Sequence, residues 1–251
     1  MNKKTNIIFD LNGVLFKENK LSILRKSGIL KLILYLITHK KNPVKIGFDV
    51  LHRMHLQKDK KKNTSKYRTY EMPQCMSQWM KGVISNKYLL KKIKQFIQEL
   101  HKLNYFASEF EKNFVYESMK IILDEKQITT NTKPIKPMIE LVKTFGKEKK
   151  YNLFIISNYA KEAAQLLIQK YKAFFSLFDD IIISANIGMI KPDKEIYEHF
   201  LNKHSLYPEQ CLFIDDQEEN IVSAQNIGIK SILYNEYKDF EIKLKELKIL
   251  K

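Results

Sequence analysis

The stretch Thr5-Asn6-Ile7-Ile8-Phe9-Asp10-Leu11-Asn12-Gly13-Val14-Leu15 fixes the starting point for the fold. A short apolar run ends on one carboxylate, Asp10, and Asn12-Gly13 follows at once, a strong turn signal. A strand therefore brings Asp10 to its carboxyl end. Further short apolar runs lie at Asn152–Ser157, Asp180–Ser184, Cys211–Asp215 and Lys230–Tyr234. Helical spacing fills the gaps: Ala163, Ala164, Leu167 and Ile168 within Lys161–Lys170, then Lys194–Lys203 and Glu218–Asn226, with Pro137–Thr144 leading into the second run. Short strands apolar on both faces, alternating with helices of about ten residues, predict an α/β protein with a parallel sheet covered on both sides. In such sheets ligands sit at the carboxyl ends of the strands, which is where Asp10, Ser157 and Asp215 fall.

Between Leu15 and Lys133 the character changes. Leu21–His39, Lys45–His55, Gln74–Val83, Lys87–Lys102 and Glu109–Leu123 carry helical periodicity without any convincing strand. Gln57–Tyr70, which holds Lys58, Lys60, Lys61, Lys62, Lys66 and Arg68, reads as an exposed loop, and Thr129–Pro137, with Pro134 and Pro137, as the return linker. The expected organisation is a parallel-sheet core of residues 1–16 and 134–251, interrupted by a helical, strongly basic domain of residues 17–133.

Composition bounds the function classes. With 251 residues and 44% hydrophobic content, the chain can bury a core plus a sizeable insertion. Cys75 and Cys211 are far apart, which gives no disulfide framework and no metal-ligand spacing and predicts a reducing, cytoplasmic setting. The first ten residues read as strand rather than as a secretory signal. The apolar stretch Gly28–Ile37 is interrupted by Lys31 and falls short of the roughly 20 residues that span a bilayer, so no transmembrane segment is expected.

The net charge of +16 is lopsided: residues 17–133 hold 25 Lys/Arg against 10 Asp/Glu, a net of +15. Such a field draws in anions, whether phosphorylated metabolites, nucleic acid or acidic headgroups, although charge runs are more often solvated faces. Lys66-Tyr67-Arg68-Thr69-Tyr70 interleaves aromatic and cationic side chains as a nucleic-acid contact would. The same mixture also suits a loop with snorkelling side chains, and that is the expectation here. Amphipathic Leu21–His39 could lie on an acidic membrane surface, but packing within the insertion is expected.

Four pieces stand in order along the chain: Asp10-Leu11-Asn12; Ile155-Ile156-Ser157-Asn158; Ile190-Lys191-Pro192-Asp193; and Phe213-Ile214-Asp215-Asp216, followed by Asn220. Each alone is a common accident. Together they resemble the four motifs of the haloacid-dehalogenase-like (HAD) hydrolase superfamily, in the subfamily with an α-helical cap between the first two motifs. The resemblance covers roughly residues 5–20 and 134–235; the insertion matches only in position and helical character.

The resemblance implies a Rossmann-like core, a helical cap, and phosphoryl transfer from a small anionic phosphorylated substrate to Asp10 as nucleophile. It implies Mg²⁺ as cofactor, held by Asp10, the backbone carbonyl of Asn12 and Asp216, with Asp215 acting through a water or orienting Lys191. Ser157 and Asn158 would bind the phosphoryl group, aided by the helix that follows from about Tyr159. Lys191 would offset negative charge around the nucleophile, Pro192 would occupy the first turn of the next helix, and Asn220 would support the acidic pair from behind.

Asn12 departs from the pattern. Phosphatases of the superfamily carry a second aspartate there, which protonates the leaving oxygen and then activates water. Such acid–base help contributes roughly 10²–10⁴-fold, and an amide cannot supply it. The expectation is a Mg²⁺-dependent phosphohydrolase slowed by Asn12; the alternative is a non-catalytic HAD-like protein, a pseudophosphatase that binds an anion or a partner. Dehalogenases of the superfamily also lack the second aspartate, but their acidic pair is disrupted, whereas Asp215-Asp216 is intact.

Overall fold

A computed structural model describes residues 5–19, 43–54, 72–148 and 150–250. The amphipathic stretch Leu21–His39, the basic loop Gln57–Tyr70 and the Lys66–Tyr70 cluster lie outside the described residues. In chain order the elements begin with β1 (Thr5–Phe9), β2 (Phe16–Glu18), α1 (Pro43–Arg53), α2 (Gln74–Met80), α3 (Asn86–Lys102), α4 (Glu109–Leu123) and α5 (Glu125–Asn131). They continue with β3 (Thr132–Pro134), α6 (Lys136–Lys147), β4 (Tyr151–Ser157), α7 (Lys161–Lys170), α8 (Lys172–Phe175), β5 (Asp180–Ile183) and α9 (Ser184–Ile187). The last are α10 (Lys194–His204), β6 (Cys211–Asp215), α11 (Glu218–Asn226), β7 (Lys230–Leu233) and α12 (Tyr237–Glu246).

Five strands form one parallel sheet in the order β5-β4-β1-β6-β7. After β1 the chain works outward on one side through β4 and β5, then crosses to the other side for β6 and β7. β1 is therefore the strand at which the order reverses, the position where open parallel sheets open a crevice at their carboxyl ends. Both faces are covered, as the doubly apolar runs predict. Alternation along β1 sends Ile7 and Phe9 into one apolar cluster with Leu153, Ile155 and Ile214, and Ile8 into the other with Phe154, Ile156 and Phe213. The first cluster continues without a break into the insertion, through Val50, Trp79, Leu89 and Ile93.

Between β2 and β3 the described elements of the insertion are all helices, for local reasons. Ser85 and Ser108 accept the Tyr88 and Glu111 backbone N–H groups at the starts of α3 and α4, and Asp124 accepts that of Gln127 at the start of α5. On α3 the buried side chains Leu89, Ile93, Ile97 and Leu100 recur at helical spacing. α2 stops at Met80, short of the expected Val83, because Gly82 turns the chain with φ +70°.

Three expectations are corrected. The segment read as a return linker is in fact the end of α5 followed by β3, which pairs antiparallel with β2: Phe16 opposite Pro134, Lys17 opposite Lys133 and Glu18 opposite Thr132. This two-stranded ribbon is the neck through which the chain leaves and re-enters the sheet, and Pro134 is tolerated because it ends an edge strand. Pro192 is not in the first turn of a helix: α10 begins at Lys194 after Asp193, and the Lys191–Pro192 peptide bond is cis. The helix after Ser157 begins at Lys161, not at Tyr159.

Candidate active site

Sheet register assembles the site. Phe9 is level with Ile155 on one side and Ile214 on the other, so Asp10 emerges beside the carboxyl ends of β4 and β6. The Asp10 backbone N–H still donates to the Ile214 carbonyl at 2.8 Å, which holds the carboxylate at the last paired position before the turn. Gly13 closes that turn with φ +97°, and a Cβ there would collide with the carboxylate of Asp216. Two requirements therefore meet on Gly13: a left-handed backbone and room for an acidic side chain from another loop.

Lys191 comes from the segment between α9 and α10 and is almost wholly buried. Its Nζ lies 2.7 Å from Asp10 Oδ1 and 2.6 Å from Asp215 Oδ2. Asp215 is saturated on its other oxygen too: Oδ1 accepts from the Gln217 backbone N–H at 2.8 Å and from Asn220 Nδ2 at 2.9 Å. Asp215 thus orients the lysine, and Asn220 braces Asp215 from α11. Asp216, the next residue, is exposed. Asp10, Asp215 and Asp216 each offer an oxygen within 4.8 Å of the others.

The charges follow from this packing. Burial pushes the Asp10 carboxyl up to about 7, against the pull of Lys191 and with the repulsion of Asp215 added. Desolvation and then the charge of Asp215 push Asp216 up to about 6. Burial works against the Lys191 ammonium, but Asp10 and Asp215 together hold it above its usual value. Three carboxylates converge and one ammonium pairs with two of them, an arrangement that suits a cation bound from outside.

Ser157 ends β4, 1% exposed, and its Oγ has no hydrogen-bond partner among the described residues. Asn12 Oδ1 is likewise buried without one. Asn158 meets Lys191 through its side chain. Its amide clamps the backbone of Lys191, Nδ2 donating to the Lys191 carbonyl and Oδ1 accepting the Lys191 N–H, both at 2.8 Å. The side chain therefore spends Oδ1 and one Nδ2 hydrogen on positioning Lys191, leaving its second Nδ2 hydrogen and its backbone N–H for any ligand. Ser184, which the sequence did not single out, accepts the Tyr159 backbone N–H at 3.0 Å and holds the loop after Ser157. No local signal marks it, since it is a lone serine at the start of α9, just after β5.

Two cavities, of about 400 and 510 Å³, lie away from these residues, one at the amino ends of β1 and β6 and one beside the neck around Phe16 and Tyr171. No helix among the described residues is long and apolar enough to cross a membrane.

A family model described as haloacid dehalogenase-like hydrolase matches residues 103–234. Among curated proteins, a sesquiterpene phosphatase of Aspergillus oryzae is 44% identical over 55 residues, 22% of this chain and 28% of that protein. A drimenol cyclase of Aspergillus calidoustus is 34% identical over 80 residues, 32% of this chain and 15% of that protein. A glyceraldehyde 3-phosphate phosphatase of Methanothermobacter thermautotrophicus is 30% identical over 95 residues, 36% of this chain and 39% of that protein. The chain thus spans only 15% to 39% of the length of these relatives. The fold is similar to that of a HAD family enzyme of Bacteroides thetaiotaomicron, with a TM-score of 0.60 at 16% identity, covering 96% of this chain and 98% of that one. Another structure of that enzyme, a complex with magnesium and inorganic phosphate, is similar with a TM-score of 0.58 at 15% identity, covering 94% and 98%.

Proposed function

The chain belongs to the haloacid dehalogenase-like hydrolase family, and we propose that it is a Mg²⁺-dependent phosphohydrolase acting on a small phosphorylated metabolite through Asp10. The observation that carries this reading is Lys191, buried and bridging Asp10 and Asp215 at 2.7 and 2.6 Å. The buried ammonium between two carboxylates pulls the Asp10 carboxyl back towards its ionised form, against a burial that raises it to about 7.

The donor set fits the ion. Oxygens of Asp10, Asp215 and Asp216 within 4.8 Å of one another are hard ligands of the kind Mg²⁺ takes. Because both oxygens of Asp215 are engaged, Asp10, Asp216 and the backbone carbonyl of Asn12 would hold the ion, with Asp215 contributing through a water or through Lys191. When bound, Mg²⁺ supplies positive charge that offsets the charge on the phosphoryl oxygens and on Asp10.

The chain's own residues account for the rest. The Ser157 hydroxyl, unpartnered and buried, donates to a phosphoryl oxygen. Asp10 attacks phosphorus, an Asp10 O–P bond forms as the ester P–O bond breaks, and the leaving oxygen departs with the electron pair. Asn12 offers that oxygen a hydrogen bond but no proton, so poor leaving groups go slowly. Water then attacks the aspartyl-phosphate without a carboxylate base at residue 12, which slows release. Residues 17–133 serve as a cap that excludes water and selects the substrate. Relatives that are themselves phosphatases support phosphate esters over haloacids, and so does the intact Asp215-Asp216 pair.

Asn12 supports a second reading, a non-catalytic protein that binds an anion or a partner with the same residues. Hydrolysis of an aryl phosphate, with and without Mg²⁺, by the native chain and by Asp10→Asn separates the two. Metal-dependent turnover abolished in Asp10→Asn supports the phosphohydrolase; phosphate binding with no turnover in either supports the binder.

A further inference from the structure

One turn of the insertion is docked beside the carboxyl edge of the sheet. α2 ends at Met80, and Lys81-Gly82 turns the chain there. The Ser184 hydroxyl, fully buried just after β5, donates to the Met80 carbonyl at 2.7 Å. The same oxygen accepts the Tyr159 backbone N–H at 3.0 Å. Gly82 sits so close to α9 that a Cβ would collide with the Ala185 carbonyl oxygen. Lys81 Nζ reaches Asp193 Oδ2 at 3.4 Å. Tyr159 stands two residues beyond Ser157, and Asp193 two beyond Lys191, so each contact falls next to a residue that faces the site.

A serine hydroxyl has one proton to give. Ser184 has two acceptors for it, the Met80 carbonyl at 2.7 Å and the Tyr159 carbonyl at 3.4 Å. With the turn docked, the shorter and stronger bond goes to Met80. With the turn withdrawn, the Tyr159 carbonyl remains within reach, so the buried hydroxyl does not lose its only acceptor. The insertion can therefore undock at small cost, and the bond that changes hands belongs to the loop carrying Ser157. Tyr159 also meets the neck, its hydroxyl 3.5 Å from Thr132 Oγ1 on β3.

We propose that Ser184 is a positioning residue: a latch with two acceptors, through which docking of turn 80–82 sets the Ser157–Tyr159 loop for phosphate binding. The role of Ser157 rests on the phosphohydrolase reading; the coupling between turn and loop does not.

Amide hydrogen exchange on the ligand-free chain tests the coupling. Gly82→Ala pushes the turn off Ala185 and frees the Ser184 O–H for the Tyr159 carbonyl, so exchange in 80–83 should accelerate while exchange in peptides covering 157–160 should slow roughly two- to tenfold, the gain of about one net hydrogen bond. Ser184→Ala should accelerate both 80–83 and 157–160, and Ser184→Thr should restore both. If Gly82→Ala does not fold, Lys81→Ala carries the same expectation with a smaller change. Acceleration confined to 80–83, with 157–160 at the native rate, overturns the latch.

Trp79, the single tryptophan, lies one residue before Met80 and is 7% exposed, so its emission reports on the turn. Inorganic phosphate with Mg²⁺, bound as measured by calorimetry, should shift that emission in the native chain and in Ser184→Thr but not in Ser184→Ala. Phosphate binding without an emission change in the native chain contradicts the latch. Absence of phosphate binding contradicts the phosphohydrolase reading instead, and the exchange result then decides the latch by itself.

Discussion

On one side of Asp10, Lys191 and Asp215 are buried with their polar atoms engaged by each other, by Asn220 and by the Gln217 backbone. On the other side, Ser157 Oγ and Asn12 Oδ1 are also buried and have no hydrogen-bond partner among the described residues. A buried polar atom left unpaired costs roughly 1–3 kcal/mol, and folded chains keep few of them. The first side is finished in its charge pairing, with Asn220 Oδ1 left without a partner among the described residues. The second is left unfinished, with a hydroxyl and an amide oxygen open to a ligand's polar atoms. That contrast, more than the presence of any one motif, is what makes the carboxyl edge at β1 read as a site for a metal and a phosphate.

The contrast breaks most severely at Lys191. Lys191→Met leaves Asp10 and Asp215 buried without their shared cation, and removing one partner of a buried charge group costs about 3–5 kcal/mol. Urea unfolding should show a loss of that size; a loss under about 1 kcal/mol would mean the two carboxylates do not depend on the lysine.

A middle-sized effect appears with pH. Asp10 and Asp216 are raised from 3.8 to about 7 and about 6, so the folded chain holds more protons than the unfolded chain between those values. Stability therefore falls as pH rises from about 4 to about 7 in metal-free protein, and Mg²⁺, by binding the ionised carboxylates, should flatten the fall. Thermal unfolding with and without Mg²⁺ checks this. A metal-free midpoint that rises across the window would show that neither carboxyl is strained by its neighbours.

Ser157→Ala sharpens the contrast by costing no stability. The hydroxyl has no partner to lose and its unpaired burial is relieved, so stability should hold or rise by up to about 1–3 kcal/mol, while phosphate affinity should drop about tenfold or more. Denaturation and calorimetry on the same variant separate the two. A large loss of stability would mean that Ser157 belongs to the finished side after all.

Much of this was legible in the sequence, because it is carried by local pattern. The runs around Ile7-Ile8-Phe9 and Leu212-Phe213-Ile214 are apolar on both faces and bounded by turns, and they became neighbouring central strands. Lys161–Lys170, Glu218–Asn226 and Glu109–Leu123 start and stop where their periodicity does. The neck was not legible. Phe16-Lys17-Glu18 and Thr132-Lys133-Pro134 carry no strand pattern, and each is ordered by a partner more than a hundred residues away. α12 was missed because its buried side chains, Phe240 and Leu244, are few among charged neighbours. Asn158 could be placed at the site, but whether its amide faces a ligand or the Lys191 backbone depends on tertiary packing that no spacing encodes. Ser184 belongs to the same class, since its importance lies in Met80, over a hundred residues earlier.

Asn12 tests the central claim most directly, because it is the one residue of the open side that departs from the family pattern. Turnover of an aryl phosphate should be compared between the native chain and Asn12→Asp in Mg²⁺. If the unfinished side is a phosphate site lacking only its proton donor, Asn12→Asp should turn over about 10²–10⁴-fold faster, with the gain lost on removing Mg²⁺. No gain in a folded Asn12→Asp that still binds phosphate would contradict that account and leave a site that binds without catalysing.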